Sequence, residues 1–158
     1  SAAQDGNVKA VAALLAGGAD PNATNKNGGT ALMDAAENGH AEAVTALVAG
    51  GADPNAADKE GRTALMFAAK YGHAEAVAAL VGGGADPNAA EKEKGWTALV
   101  DAAGNGHVDA VAALLRFMRG EWGRREPSEG SWYEVLVAWI RGTCTHLIGR
   151  REPSEGSW

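Results

Sequence analysis

Short apolar segments alternate with glycine-rich and polar turns along the first 115 residues. In one of these segments the apolar side chains of Val77, Leu80 and Val81 recur at helical spacing, which predicts a helix over about 74–81. A second short helix is predicted just before it, over 64–71. Helices of about eight residues do not persist alone in water, so each predicted pair needs neighbours that cover its apolar face.

The same pattern returns every 33 residues. Gly-Ala-Asp-Pro-Asn-Ala begins at Gly18, Gly51 and Gly84; Thr-Ala-Leu begins at Thr30, Thr63 and Thr97; Gly-His begins at Gly39, Gly72 and Gly106. Thr63 can cap the first helix of its pair, and Gly72 can take the positive φ that ends it. Asp-Pro-Asn favours a turn between pairs. The third unit is one residue longer than the others, and the extra residue falls within 90–94.

These residues together resemble the ankyrin repeat, over about residues 2–115. The resemblance implies an all-α fold: an ankyrin-repeat solenoid of helix-turn-helix units, here followed by a C-terminal helical tail. We expect a partial repeat at 1–23, repeats at 24–56 and 57–89, a last repeat at 90–116, and a tail at 117–158. Ala replaces the Pro of the family's Thr-Pro-Leu-His, and its His is replaced by Met33, Met66 and Val100. The usual Thr–His hydrogen bond is therefore missing, and we expect a looser stack.

The resemblance also implies a binding surface, because the family usually recognises proteins through its hairpin tips and the concave face of its inner helices. Carried over by position, this surface comprises Lys26, Asn27, Asp34, Glu37, Asn38, Lys59, Glu60, Arg62, Phe67, Lys70, Tyr71, Lys94, Trp96, Asp101 and Asn105. Phe67 takes the position that Asp34 and Asp101 hold in the neighbouring units, and Trp96 takes the tip position of Arg62. Aromatic side chains ringed by charges are typical of protein-binding hot spots. The alternative is that these side chains only pack on one another.

The charge and composition of the chain argue against several classes of function. The 158-residue chain has a formal net charge of −6, which disfavours general electrostatic binding to nucleic acid. The single cysteine, Cys144, excludes an internal disulfide framework. No apolar run approaches the length of a membrane span. The sequence does not give the compartment, and we take a soluble, cytoplasmic location as the default.

No arrangement of residues indicates catalysis, a cofactor or a metal site. His40, His73 and His107 recur once per unit, and neighbouring units lie about 10 Å apart, too far for a shared zinc ion. We expect each histidine to be a polar start to its second helix. Asp34 and Asp101 are two units apart, which is too far for them to act as a catalytic acid/base pair. A lone Cys144–His146 pair is weak evidence for a nucleophile. We therefore expect a protein that is not an enzyme.

The last 43 residues have a different composition. They carry seven Arg and no Lys, and the decapeptide at 123–132 returns unchanged at 149–158. Between the copies, Ser131 and Glu134 form a capping box for a predicted helix. Its apolar face, together with the last residue, supplies candidates for capping or self-association: Trp132, Val135, Leu136, Trp139, Ile140 and Trp158.

Several interpretations of this tail stay open. The tail can cap the last repeat, or it can dock on a neighbouring copy and build a homo-oligomeric ring or filament. It can also be an accidental sequence from a fusion or frameshift. A further alternative is that Arg125–Gly130, repeated at Arg151–Gly156, is a short linear motif that other ankyrin clusters bind.

Overall fold

The computed structural model describes residues 2–122, with side chains as far as Met118. The chain divides into two units, Ser1–Leu114 and Leu115–Trp158. The predicted helix at 131–142, the two decapeptides and the Cys144–His146 pair lie outside the described residues. The predictions for Trp132, Val135, Leu136, Trp139, Ile140 and Trp158 therefore stay predictions.

The described residues form seven α-helices, which confirms the predicted all-α fold. They are α1 Val8–Ala16, α2 Ala31–Glu37, α3 Ala41–Ala49, α4 Ala64–Lys70, α5 Ala74–Gly82, α6 Ala98–Gly104 and α7 Val108–Trp122. The first helices of successive units stack on one another, α2 on α4 and α4 on α6, and we call them the inner helices. The second helices stack likewise, α1 on α3 and α3 on α5. None of the helices in the described part of the chain is long and apolar enough to cross a membrane.

Local sequence explains where the inner helices begin and end. The Thr63 hydroxyl accepts a hydrogen bond from the Met66 N–H (3.4 Å), and Thr30 does the same for Met33 (3.3 Å). The predicted cap at Thr63 is thus confirmed, whereas Thr97 makes no such bond. After α4, Gly72 has a φ of 77°, the positive value that was predicted to end the helix.

Small side chains let the inner helices approach closely. Ala35, Ala36, Ala68 and Ala69 have no exposed surface, and Leu32 and Leu65 are almost fully buried between them. Of the residues on the predicted face of α5, Val77 and Leu80 are fully buried and Val81 is half-buried. The stacked units therefore share a core that no single helix pair could form.

Asparagine side chains join the partial repeat to the first full unit and the first full unit to the second. Asn22 accepts the Asp53 N–H (2.7 Å) and donates to the Gly51 carbonyl (3.1 Å). Asn55 repeats both bonds one unit later, with Asp86 (2.6 Å) and Gly84 (3.0 Å). We call this pair of bonds the asparagine clamp.

The histidines also bridge units instead of capping their own helices. His40 and His73 stand at the N-cap positions of α3 and α5, as the predicted polar start requires, but neither side chain makes a capping bond. Their Nε2 atoms instead lie 2.9 Å and 3.0 Å from the carbonyl oxygens of Gln4 and Glu37 in the preceding unit. The His73 ring packs so closely on Gly39 that a Cβ there would lie 2.5 Å from Nδ1. Glycine at position 39 is therefore needed for two reasons: it ends α2, and it leaves room for the His73 ring.

The hairpin tips form a third connection. The Lys59 N–H donates to the Asn27 carbonyl (3.1 Å), and the Lys92 N–H donates to the Glu60 carbonyl (3.0 Å). Each hairpin closes with one β-bridge: Thr24 with Thr30, Ala57 with Thr63, and Ala90 with Thr97. The extra residue of the third unit lies inside its hairpin, as predicted.

Candidate binding surface

Arg62 is held in a fixed orientation at the tip of the second full unit. The Asp58 carboxylate accepts its Nε (2.8 Å) and a terminal nitrogen (2.8 Å), and Glu60 accepts the other terminal nitrogen (3.0 Å). Asp58 also accepts the backbone N–H groups of Glu60 and Arg62, which shapes the hairpin. The guanidinium carbon lies 5.0 Å from the centre of the Phe67 ring. The sequence placed Arg62 and Phe67 on one surface, and the structure brings them into contact.

The ion pair with Arg62 determines the charge of Asp58. Burial by itself would raise the pKa of this carboxyl, which is only 6% exposed. The hydrogen bonds and positive charge of Arg62 outweigh burial and hold the pKa of Asp58 below its ordinary value. The same hydrogen bond raises the pKa of Arg62. Asp58 was not predicted as part of the surface from the sequence. Its position four residues before Arg62 was the available signal for an ion pair.

Two lysines cover the two exposed aromatic rings in the same way. The Lys70 amine lies 5.5 Å from the centre of the Tyr71 ring, and the Lys94 amine lies 4.6 Å from the Trp96 ring. Tyr71 is 45% exposed and Trp96 is 42% exposed. We call the three pairs the aromatic–cation cluster: Arg62, Phe67, Lys70, Tyr71, Lys94 and Trp96.

Asp101 of α6 lies among the charges of the cluster. Burial, followed by the negative charge of Glu91, raises the pKa of Asp101, and the charges of Lys70 and Lys94 oppose this shift. These groups come from α4, from the third hairpin and from α6. Of the predicted residues, the structure thus brings Lys70, Lys94 and Asp101 close enough for their charges to interact.

Other predicted surface residues have structural bonds. Asn38 and Asn105 donate their Nδ2 hydrogens to the carbonyls of Asp34 (2.8 Å) and Asp101 (2.7 Å), which satisfies the last turns of α2 and α6. Tyr71 takes this position in α4, so its side chain projects into solvent. Of the remaining predicted residues in the first full unit, Lys26, Asn27 and Glu37 are exposed.

Within the described residues, no group of histidine, cysteine or acidic side chains is arranged to hold a metal ion. This finding covers His40, His73 and His107, which the stacking keeps in separate units.

Comparison with known families identifies the repeats. A family model described as ankyrin repeats, in three copies, matches residues 1–91. A second model, ankyrin repeats in many copies, matches residues 68–115. A search of curated proteins gave no match. The matched residues include all of the aromatic–cation cluster, and residues 116–158 lie outside both matches.

The raised pKa of Asp101 predicts how stability depends on pH. A folded-state pKa above the ordinary value of 3.8 means that the native chain binds this proton more tightly than the unfolded chain. The free energy of unfolding therefore falls as the pH rises from this ordinary value through the raised pKa. Above the raised pKa, the charged Asp101 carboxylate lowers the stability of the folded chain. We expect Asp101→Asn to unfold at a higher temperature than the native chain at pH 7, and the gain to shrink as the pH falls toward 3.8.

Thermal melts from pH 7 downward, followed by circular dichroism, measure this difference. Asp34→Asn, at the same helix position in α2, is the matched control and should not reproduce it. A native chain that melts at a higher temperature than Asp101→Asn at pH 7 would contradict the prediction.

Proposed function

The chain belongs to the ankyrin repeat family, and we propose that it is a non-catalytic interaction module that binds a protein partner through the aromatic–cation cluster. Ankyrin repeats generally mediate interactions between proteins. The family alone does not give the binding surface, since the function of a common fold lies in the residues that it displays. The proposal therefore depends on what the second and third full units display.

The exposure of large apolar side chains supports this choice of surface. Tyr71 and Trp96 of the cluster are each more than 40% exposed; in the rest of the described part of the chain only Leu14, at 57%, and Val100, at 44%, are comparable. Tyrosine, tryptophan and arginine are the side chains that most often dominate binding energy at protein interfaces.

Arg62 and Phe67 of the cluster are also held in place before any partner arrives. Asp58 and Glu60 hold Arg62, and Arg62 in turn lies over Phe67. Side chains that are already ordered lose less conformational entropy on binding. The cluster combines aromatic rings with cations, an arrangement that suits protein recognition more than it suits a catalytic nucleophile and base.

Replacing Phe67, Tyr71 and Trp96 together with alanine should remove partner binding. We expect the affinity to fall by at least tenfold, since hot-spot residues contribute about 2 kcal/mol each. The measurement is capture of a partner by the immobilised native chain, identification of that partner, and titration of the purified pair. Leu14→Ala removes an equally exposed apolar side chain from α1 and is the control. Undiminished affinity in the triple variant, with unchanged circular dichroism, would refute this surface.

A second candidate function, self-assembly, rests on the last inner helix. Val100 is 44% exposed, whereas Met33 and Met66 at the same position are 4% and 3% exposed. Ala103 is exposed as well, although its counterparts in α2 and α4 are fully buried. Within the described residues, no further inner helix covers this face of α6, and terminal repeats normally require a cover for such a face.

We propose that the apolar tail of a neighbouring copy covers this face in the self-assembly alternative. The candidate residues are Trp132, Val135, Leu136, Trp139, Ile140 and Trp158. A tail-to-body contact of this kind is heterologous and produces rings or filaments.

Light scattering tests the self-assembly alternative on the full chain. The particle mass should rise with protein concentration, and Trp132→Ser/Trp139→Ser should abolish the rise because it removes two apolar anchors. Leu14→Ser, which changes an exposed residue outside the proposed contact, should leave the rise unchanged. A constant monomer mass at every concentration would rule out self-assembly.

A further inference from the structure

We infer that the protein partner is an acidic segment, whose carboxylates pair with Lys70 and Lys94 while an apolar side chain contacts Trp96. The inference rests on the proposed function, because it specifies the chemistry of the partner at the same surface. Four observations lead to it: where the cations lie, which of them are free, where the nearby carboxylates are engaged, and the charge of the surrounding array.

The cations of the repeats are concentrated on one part of the structure. Residues 1–115 contain seven lysines and arginines, within a chain of net charge −6. Of these seven, only Lys9 lies on a second helix, α1, and Arg116 follows on α7. The others lie on hairpins or at the end of an inner helix: Lys26, Lys59, Arg62, Lys70, Lys92 and Lys94.

The lysines of the second and third full units remain available to a partner. Lys59, Lys70, Lys92 and Lys94 are exposed, and in the described part of the chain none of them forms an ion pair. The Lys92 amine donates to a backbone carbonyl, that of Lys59. Arg62 differs from them, since Asp58 and Glu60 already neutralise it.

The carboxylates around these lysines are mostly engaged elsewhere. Asp58 and Glu60 are bound to Arg62, and Glu91 accepts the backbone N–H of Lys94 (3.1 Å). Asp101 is half-buried, and its charge interacts with those of Lys70 and Lys94 without forming an ion pair with either. Glu93 remains as an exposed carboxylate at the third tip. The exposed lysine amines of this surface therefore have no salt-bridge partner among the described residues.

A short acidic peptide fits this surface better than a nucleic acid does. Rings beside amines would suit stacked bases as well. A long polyanion, however, would also be repelled by the net charge of −6 of the chain, to which the acidic residues that begin the second helices contribute: Glu42 in α3, Glu75 in α5 and Asp109 in α7. Repulsion by an acidic array penalises such a ligand, whereas a short segment can stay within the aromatic–cation cluster.

A random peptide library displayed on phage, selected against the full chain, tests the inference before the natural partner is identified. Enriched peptides should carry more Asp and Glu than Lys and Arg. Their affinity should fall about tenfold or more with Lys70→Glu/Lys94→Glu, since both favourable ion pairs become repulsive. Lys9→Glu is the control: it changes the charge by half as much as the double variant, at a position outside the proposed surface. It should alter the affinity by less than about twofold. Binding should also weaken as salt is added.

The outcomes separate this inference from the proposed function. Peptides that need Phe67, Tyr71 and Trp96 but are neutral or basic, or that tolerate Lys70→Glu/Lys94→Glu, would overturn the inference and leave the binding surface intact. A selection that yields no peptide dependent on the three aromatic residues would contradict the proposed function itself. Tight binding of a single-stranded oligothymidylate at the cluster, with no acidic peptide bound, would overturn the inference in favour of a nucleic acid.

Discussion

The asparagine clamp is the interaction on which the rest of this structure depends. Through one side-chain amide, Asn22 and Asn55 each accept a backbone N–H and donate to a backbone carbonyl of the next unit. The inner helices have seven residues and the second helices α1, α3 and α5 have nine, too few for either to persist alone. Their stability therefore comes from the junctions between units, where the clamp and the histidine bridge occur at the first two junctions and the hairpin bond at the last two.

The candidate binding surface lies at the last of these junctions, which carries the hairpin bond. The aromatic–cation cluster extends across the junction between α4 and α6, so no single unit could display it. The hairpin bond from the Lys92 N–H to the Glu60 carbonyl brings the tips of Arg62 and Trp96 beside each other. The junctions also repeat a backbone arrangement that leaves the tip and inner-helix positions free to vary. Phe67 can therefore replace an aspartate there without a change of fold.

Sequence reasoning predicted the features that depend on local chemistry and missed those that depend on contacts between units. The cap at Thr63, the positive φ of Gly72 and the long third hairpin follow from neighbouring residues and from the period. The bridging role of His73 does not, because its partner carbonyl lies 36 residues earlier in the chain. The role of Asp58 was hidden for a related reason: the sequence does not state that a hairpin carboxylate will be buried under an arginine. The binding surface shows the same limit of sequence reasoning. The sequence predicted which residues belong to the cluster, but only the structure shows which ring lies beside which cation.

Chemical unfolding of Asn55→Ala beside Asn88→Ala tests most directly whether the clamp carries the structure. Both substitutions remove an asparagine from the same position of the loop, but within the described residues the Asn88 side chain has no bond to a following unit. Loss of the two clamp bonds should lower the free energy of unfolding of Asn55→Ala by about 1–2 kcal/mol, and Asn88→Ala should lose less than half as much. Equal losses in the two variants would contradict the account, because they would show that the loop position matters and the bond between units does not.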